Sequence, residues 1–204
     1  MYSTHFKILP ILLLMFLEIL TLSGQRFSAS VLLGSNFAQI DGDDLAGFNK
    51  LGLSAGILTE YEIKSNRILS IEILYNQTGS KSALSFGKAP GVEYIALSYV
   101  DIPVMFRLND WEIEDRFYKV FAEAGLSLGR LFNSELQNSF FTGLEEDFTK
   151  TKLSFALGAG FRINKQLGIT GRYTRSINSL YKNDPLLVRN LYGYFLTFRL
   201  EYKL

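Results

Sequence analysis

Tyr192-Gly193-Tyr194-Phe195-Leu196-Thr197-Phe198-Arg199-Leu200-Glu201-Tyr202-Lys203-Leu204 is the stretch that decides the fold. Tyr192, Tyr194, Leu196, Phe198, Leu200, Tyr202 and Leu204 form one phase. Gly193, Phe195, Thr197, Arg199, Glu201 and Lys203 form the other. A period of two marks a strand whose faces meet different surroundings.

The same period recovers seven more strands, near residues 27–37, 50–63, 67–78, 94–108, 117–132, 151–164 and, more weakly, 167–181. Near 67–78, Leu69, Ile71, Ile73 and Tyr75 alternate with Ser70, Glu72 and Asn76. Near 117–132, Tyr118, Val120, Ala122 and Ala124 alternate with Lys119, Glu123 and Gly125. Short breaks at Ser65-Asn66 and Asn164-Lys165-Gln166, and a longer one at Asn109–Arg116, alternate with large ones near 38–49, 79–93, 133–150 and 182–189. Short periplasmic turns and long extracellular loops are the habit of outer-membrane barrels. The expected fold is therefore all-β: an antiparallel up-and-down transmembrane β-barrel of about eight strands.

Residues 1–24 read differently. Lys7 precedes an apolar run, Ile8–Leu22, which is followed by the small residues Ser23 and Gly24. That order is a secretory signal peptide, with cleavage expected near Ser23 or Gly24. The run is too short to span a bilayer as a helix and contains Glu18. The barrel domain is then 25–204.

Facing follows from cost. Glu60, Glu62, Glu72, Asp101, Glu123 and Glu201 share the less apolar phase with Arg107, Lys119, Arg162, Arg172, Arg199 and Lys203. Turned to lipid, a midplane Arg or Lys would cost roughly 2–4 kcal/mol. These groups should face the lumen, and opposite charges in a space sized for side chains should plug it. On the lipid side, Phe27, Tyr61, Phe106, Tyr118 and Tyr202 should form a periplasmic aromatic belt. Tyr75, Phe132, Tyr192 and Tyr194 should form an outer one, with Arg130 and Arg175 close to that interface or at a bulge.

Several ordered stretches carry a family resemblance. They are Gly34-Ser35-Asn36-Phe37, Gly47-Phe48-Asn49-Lys50-Leu51-Gly52, Glu72-Ile73-Leu74-Tyr75-Asn76-Gln77-Thr78-Gly79, Tyr99-Val100-Asp101-Ile102-Pro103-Val104, Phe121-Ala122-Glu123-Ala124-Gly125 and Gly158-Ala159-Gly160. In this order they resemble the PorT-like outer-membrane β-barrel domain family of Bacteroidetes-type bacteria. The resemblance implies an outer-membrane barrel without established catalytic residues, in a family some of whose members assist protein secretion.

Composition narrows the chemistry. There is no cysteine, and the single histidine, His5, lies in the segment expected to be removed. Thiolate and imidazole chemistry are then absent from the mature chain. A net charge of +1 gives no field for nucleic acid. Asp41-Gly42-Asp43-Asp44 lacks EF-hand spacing and reads as a solvated acidic turn, and Glu145-Glu146-Asp147 as a charged loop tip. Pro103 inside a strand points to a bulge or an edge. No catalytic, cofactor or metal site is assigned. The reading is a monomeric, non-enzymatic barrel in outer-membrane lipid, structural or binding a protein partner through loops or turns. The rivals are an outer-membrane hydrolase or acyltransferase, and a soluble secreted ligand-binding barrel.

Overall fold

Alternating faces and tight turns between consecutive runs leave antiparallel hairpins as the natural outcome. Eight such strands in sequence close on themselves. The computed structural model describes residues 26–43, 45, 47–82, 93–114, 117–137, 148–181 and 190–204. Its strands are β1 (Phe27–Asp41), β2 (Lys50–Lys64), β3 (Arg67–Lys81), β4 (Tyr94–Glu114), β5 (Phe117–Gln137), β6 (Thr151–Arg162), β7 (Leu167–Ser176) and β8 (Tyr192–Lys203). Each pairs with its neighbour in sequence, and β8 pairs back onto β1, so that no sheet edge remains.

The register fixes the shape. From Leu33, the cross-strand partners Ala55, Tyr75, Val100 and Arg130 lead to Thr151 on β6. In the other direction, Leu200 and Ile169 lead to Phe161 on the same strand. Circling the barrel therefore displaces the chain by ten residues, from Thr151 to Phe161. With strands about 4.8 Å apart rising about 3.3 Å per residue, that stagger tilts them by about 41° and closes them at a radius of about 8 Å. An interior of that size is filled by side chains.

Burial is inverted relative to a soluble protein. On β3, Ile73 is 50% exposed, whereas Glu72 beside it is 0% exposed. Val31, Leu33, Ile57, Ile71, Leu126, Leu157 and Leu200 likewise stand outward, while Arg and Glu side chains fill the inside. A soluble ligand-binding barrel would turn the apolar phase inward. That rival is set aside.

Three local expectations change. The break anticipated at Asn109–Arg116 is mostly strand, because β4 runs to Glu114 and β5 begins at Phe117. Pro103 sits at neither a bulge nor an edge. It pairs with Ser127, and the β3–β4 ladder goes from Ile71↔Val104 to Leu74↔Asp101 in unbroken register. The sheet skips the bonds a proline cannot make instead of shifting. The β4–β5 register shifts lie elsewhere, between Ser98/Tyr99 and between Glu112/Glu114.

The third change lies at the end of the barrel that carries the described termini, where Trp111 on β4 has a φ of 59 and the β4–β5 register shifts between Glu112 and Glu114. Beyond it the parity argument fails. Tyr118 is buried instead of joining the lipid-facing belt. The Lys119 ammonium leaves the lumen and lies 6.0 Å from the Trp111 ring and 5.6 Å from the outward-facing Phe161 ring.

Candidate functional site

The interior is stacked in layers along the axis. Nearest the described termini is a vestibule of about 550 Å³, whose lining includes Glu62, Tyr118, Arg162 and Lys203. Its inner wall is a network of buried charges. Arg107, 0% exposed, donates through Nη1 to Glu60 Oε1 at 2.6 Å and Glu201 Oε1 at 2.9 Å, and through Nη2 to Glu123 Oε2 at 3.0 Å. The Phe121 ring covers its guanidinium at 3.9 Å. Arg172 donates to both oxygens of Glu72 at 2.7 and 2.8 Å and reaches Glu123 Oε1 at 2.6 Å. Arg199 repeats the two-pronged grip on Glu72 at 2.8 and 2.9 Å. Planar guanidinium forks matched to carboxylates give the strongest side-chain hydrogen bonds.

Above these arginines the network continues as a polar rung that ends in an ion pair. Thr197 Oγ1 donates to Asn36 Oδ1 at 2.7 Å, Asn36 Nδ2 to Asn76 Oδ1 at 3.0 Å, and Asn76 Nδ2 to Asp101 Oδ2 at 2.8 Å. Lys152 Nζ meets Asp101 Oδ1 at 3.2 Å and lies 3.9 Å from the Tyr99 ring centroid. A gap of only about 10 Å³ separates this rung from Arg172 and Arg199, at the lower limit for one water. The loop end is closed by an apolar cluster of Ile40, Ile95, Leu97, Tyr99, Phe148, Leu180, Tyr181 and Leu191.

Of the side chains expected in the lumen, Glu60, Glu72, Asp101, Glu123, Glu201, Arg107, Arg162, Arg172 and Arg199 are buried or half-buried there. Glu62 and Lys203 reach only the vestibule, and Lys119 is outside. Lys152 was missed, although it shares its phase with Ser154 and that alone could have found it. The network therefore sets five carboxylates against five cations.

Of the loop candidates, Asp41, Gly42 and Asp43 are described. Asp43 is buried, so the solvated-turn reading fails for it: Leu45 N–H donates to its Oδ1 at 3.0 Å and the Ser80 hydroxyl to its Oδ2. Asp44 and Glu145-Glu146-Asp147 lie outside the described residues. Among the described residues no group of three or more acidic or His side chains could hold a metal ion.

A family model described as outer membrane protein β-barrel domain matches residues 22–182. The chain belongs to the outer membrane protein β-barrel domain family. It is accordingly an outer-membrane protein of Gram-negative type, and the apolar face just described is its lipid face.

Among solved structures, the outer-membrane barrel is similar to Ail, the attachment invasion locus protein of Yersinia pestis. The identity is 14%, covering 88% of this chain and 100% of that one, with a TM-score of 0.50. Neisserial surface protein A is 16% identical over 87% of this chain and 97% of its own, with a TM-score of 0.46. Identities this low show the fold alone. Among curated proteins none matches the sequence.

The lipid face carries aromatic rings at both ends. The Phe27 and Tyr61 rings meet tilted with centroids 4.9 Å apart near the termini, and Tyr75 and Phe132 do so at 5.7 Å near the loops. Arg130 donates to Thr151 Oγ1 at 3.2 Å, and Arg175 lies 3.6 Å from Asp41 and 5.8 Å from the Tyr194 ring. Both arginines thus sit beside the loop-end girdle, away from mid-depth.

Proposed function

We propose that this protein is a closed, non-enzymatic outer-membrane barrel that works through its two ends, binding a partner at its loops or turns instead of conducting solutes. The observation carrying this reading is the lumen network of five carboxylates and five cations. Two-pronged arginine contacts fill the cross-section at a radius of about 8 Å. The same contacts argue against catalysis. Glu60, Glu72, Glu123 and Glu201 are each held by a guanidinium, so none is available as an acid or base. Residues 1–24 act as a cleaved signal, the large loops face outward, and the short turns face the periplasm. The ordered motifs resemble those of PorT-like barrels, some of which assist protein secretion, and a secretion-accessory role is one form that such partner binding would take. Planar-bilayer recording of the purified barrel tests the core claim, with no steady large conductance expected. A stable, wide, ion-conducting state would overturn it and restore a porin reading.

A further inference from the structure

The vestibule at the end that carries the described termini holds more positive charge than its own carboxylates balance. Arg26, Arg162, Lys165 and Lys203 line it, against Glu60 and Glu62. Glu60 is committed to the interior: its Oε1 accepts from Arg107 at 2.6 Å and its Oε2 from the Ser28 hydroxyl at 3.1 Å. Glu62 is also already partnered. The exposed side chains of Arg26, Lys165 and Lys203 meet no carboxylate among the described residues.

The backbone fixes where these cations stand. The Lys203 N–H donates to the Gln166 carbonyl at 2.7 Å, which sets Lys203 beside the β6–β7 turn that carries Lys165. That turn is itself tied, because Asn164 Oδ1 accepts from the N–H groups of Gln166 and Leu167 at 2.8 and 2.7 Å. The Arg26 carbonyl accepts from the Glu62 N–H at 2.9 Å. Arg162 stands deeper, with its side chain 18% exposed, and is loosely held. Its Nη1 reaches Asn109 Oδ1 at 3.4 Å, and its Nη2 lies 3.6 Å from the Glu60 oxygen that Arg107 already grips. A guanidinium offers five N–H donors, so Arg162 keeps some for a ligand. Ile68, Phe117 and Tyr118 give the same lining an apolar wall.

Exposed cations, a half-free guanidinium below them and an apolar wall call for a ligand that is anionic at several points and apolar at one. The vestibule opens along the barrel axis, inside the ring of strands, so it admits a soluble chain and not a lipid whose acyl chains lie against the outer face. At about 550 Å³ it has room for a short segment and not for a folded domain. We propose that it binds an acidic peptide segment of a periplasmic protein, whose carboxylates meet Arg162, Lys165 and Lys203 while an apolar side chain packs on Phe117 and Tyr118. This site rests on the partner-binding reading above and names the partner's chemistry; the partner's compartment rests on the orientation given there.

The test uses the full barrel purified in non-ionic detergent and the fluorescence anisotropy of a dye-labelled probe peptide, one phenylalanine followed by four glutamates. This probe should bind at least about tenfold tighter than its glutamine counterpart, and added salt should weaken it. Lys165→Gln with Lys203→Gln should weaken binding about fivefold, since two exposed charge pairs are lost, with unchanged heat resistance. Lys64→Gln with Arg67→Gln removes the same charge from the β2–β3 turn at the same end but outside the vestibule lining, and should change binding less than about twofold. Equal binding of the glutamine peptide, no loss in the first variant, or an equal loss in the second would overturn the proposal. Displacement by millimolar free glutamate would assign the vestibule to small carboxylates and overturn it. Loss of binding in phosphatidylglycerol nanodiscs but not in phosphatidylcholine ones would assign the cations to lipid and overturn it too. A barrel that conducts in the planar bilayer yet binds the probe through these lysines would undo the closed-barrel reading and leave this site standing. A silent barrel that ignores the probe would do the reverse.

Discussion

Glu72→Ala isolates what the lumen network contributes. Glu72 is fully buried and accepts four hydrogen bonds, two from Arg172 and two from Arg199, all between 2.7 and 2.9 Å. After its removal Arg172 keeps Glu123 at 2.6 Å, but Arg199 is left with Glu123 at 3.8 Å as its nearest carboxylate. A buried cation without a bonded partner costs about 3–5 kcal/mol. The surface pair Arg175–Asp41, at 3.6 Å with side chains 42% and 62% exposed, sets the comparison, and Arg175→Gln should cost under about 1 kcal/mol. Glu72→Met with Arg199→Met removes one charge of each sign. Glu60, Glu123 and Glu201 would then still balance Arg107, Arg162 and Arg172, so this double variant should recover most of the loss. Urea unfolding in detergent measures all three, followed by the fluorescence of Trp111, the single tryptophan, and by the gel shift of the heat-unfolded barrel. The reasoning fails if Glu72→Ala costs no more than Arg175→Gln, or if the double variant is as unstable as the single one.

Gly160→Ala should destabilise by about 1–3 kcal/mol, because its methyl would strike the Phe121 ring, which is wedged against Arg107. Gly171→Ala, whose methyl would meet Phe198 at an ordinary 3.6 Å, should be tolerated in the same unfolding assay. For orientation, Asn190→Cys at the loop end should react with an impermeant thiol reagent on intact cells, while Ser65→Cys at a turn should not; the opposite result reverses the barrel. Trp111, 59% exposed beside Lys119, should be quenched more by lipids labelled near the headgroup than by lipids labelled deep in the chains. Stronger deep quenching would contradict its position at the rim.

Alternation was readable wherever it separated two solvents. Along β3 and β8 each step exchanges lipid for lumen, so Glu72, Arg199 and Glu201 could be placed inside from phase alone. Phase carries no warning of a backbone that leaves the β region. Beside the β4–β5 turn, where Trp111 has a positive φ and the register shifts between Glu112 and Glu114, Lys119 turns outward and Tyr118 is buried. The apolar cap escaped for another reason: Phe148, Leu180 and Leu191 lie outside the strands, where no period marks a face. The ion-pair partners were hidden more deeply. Phase says which side of the sheet a residue occupies, while its height along the barrel depends on the stagger accumulated around the circumference. Glu72 on β3 meets Arg172 on β7 and Arg199 on β8, more than 90 residues away, because a ten-residue shear brings them to one level. A shift of two residues in one hairpin would keep every phase and break that match. The network is therefore a reason for the register as well as its consequence, since among registers with the same phases this one lets both arginines grip Glu72 at once.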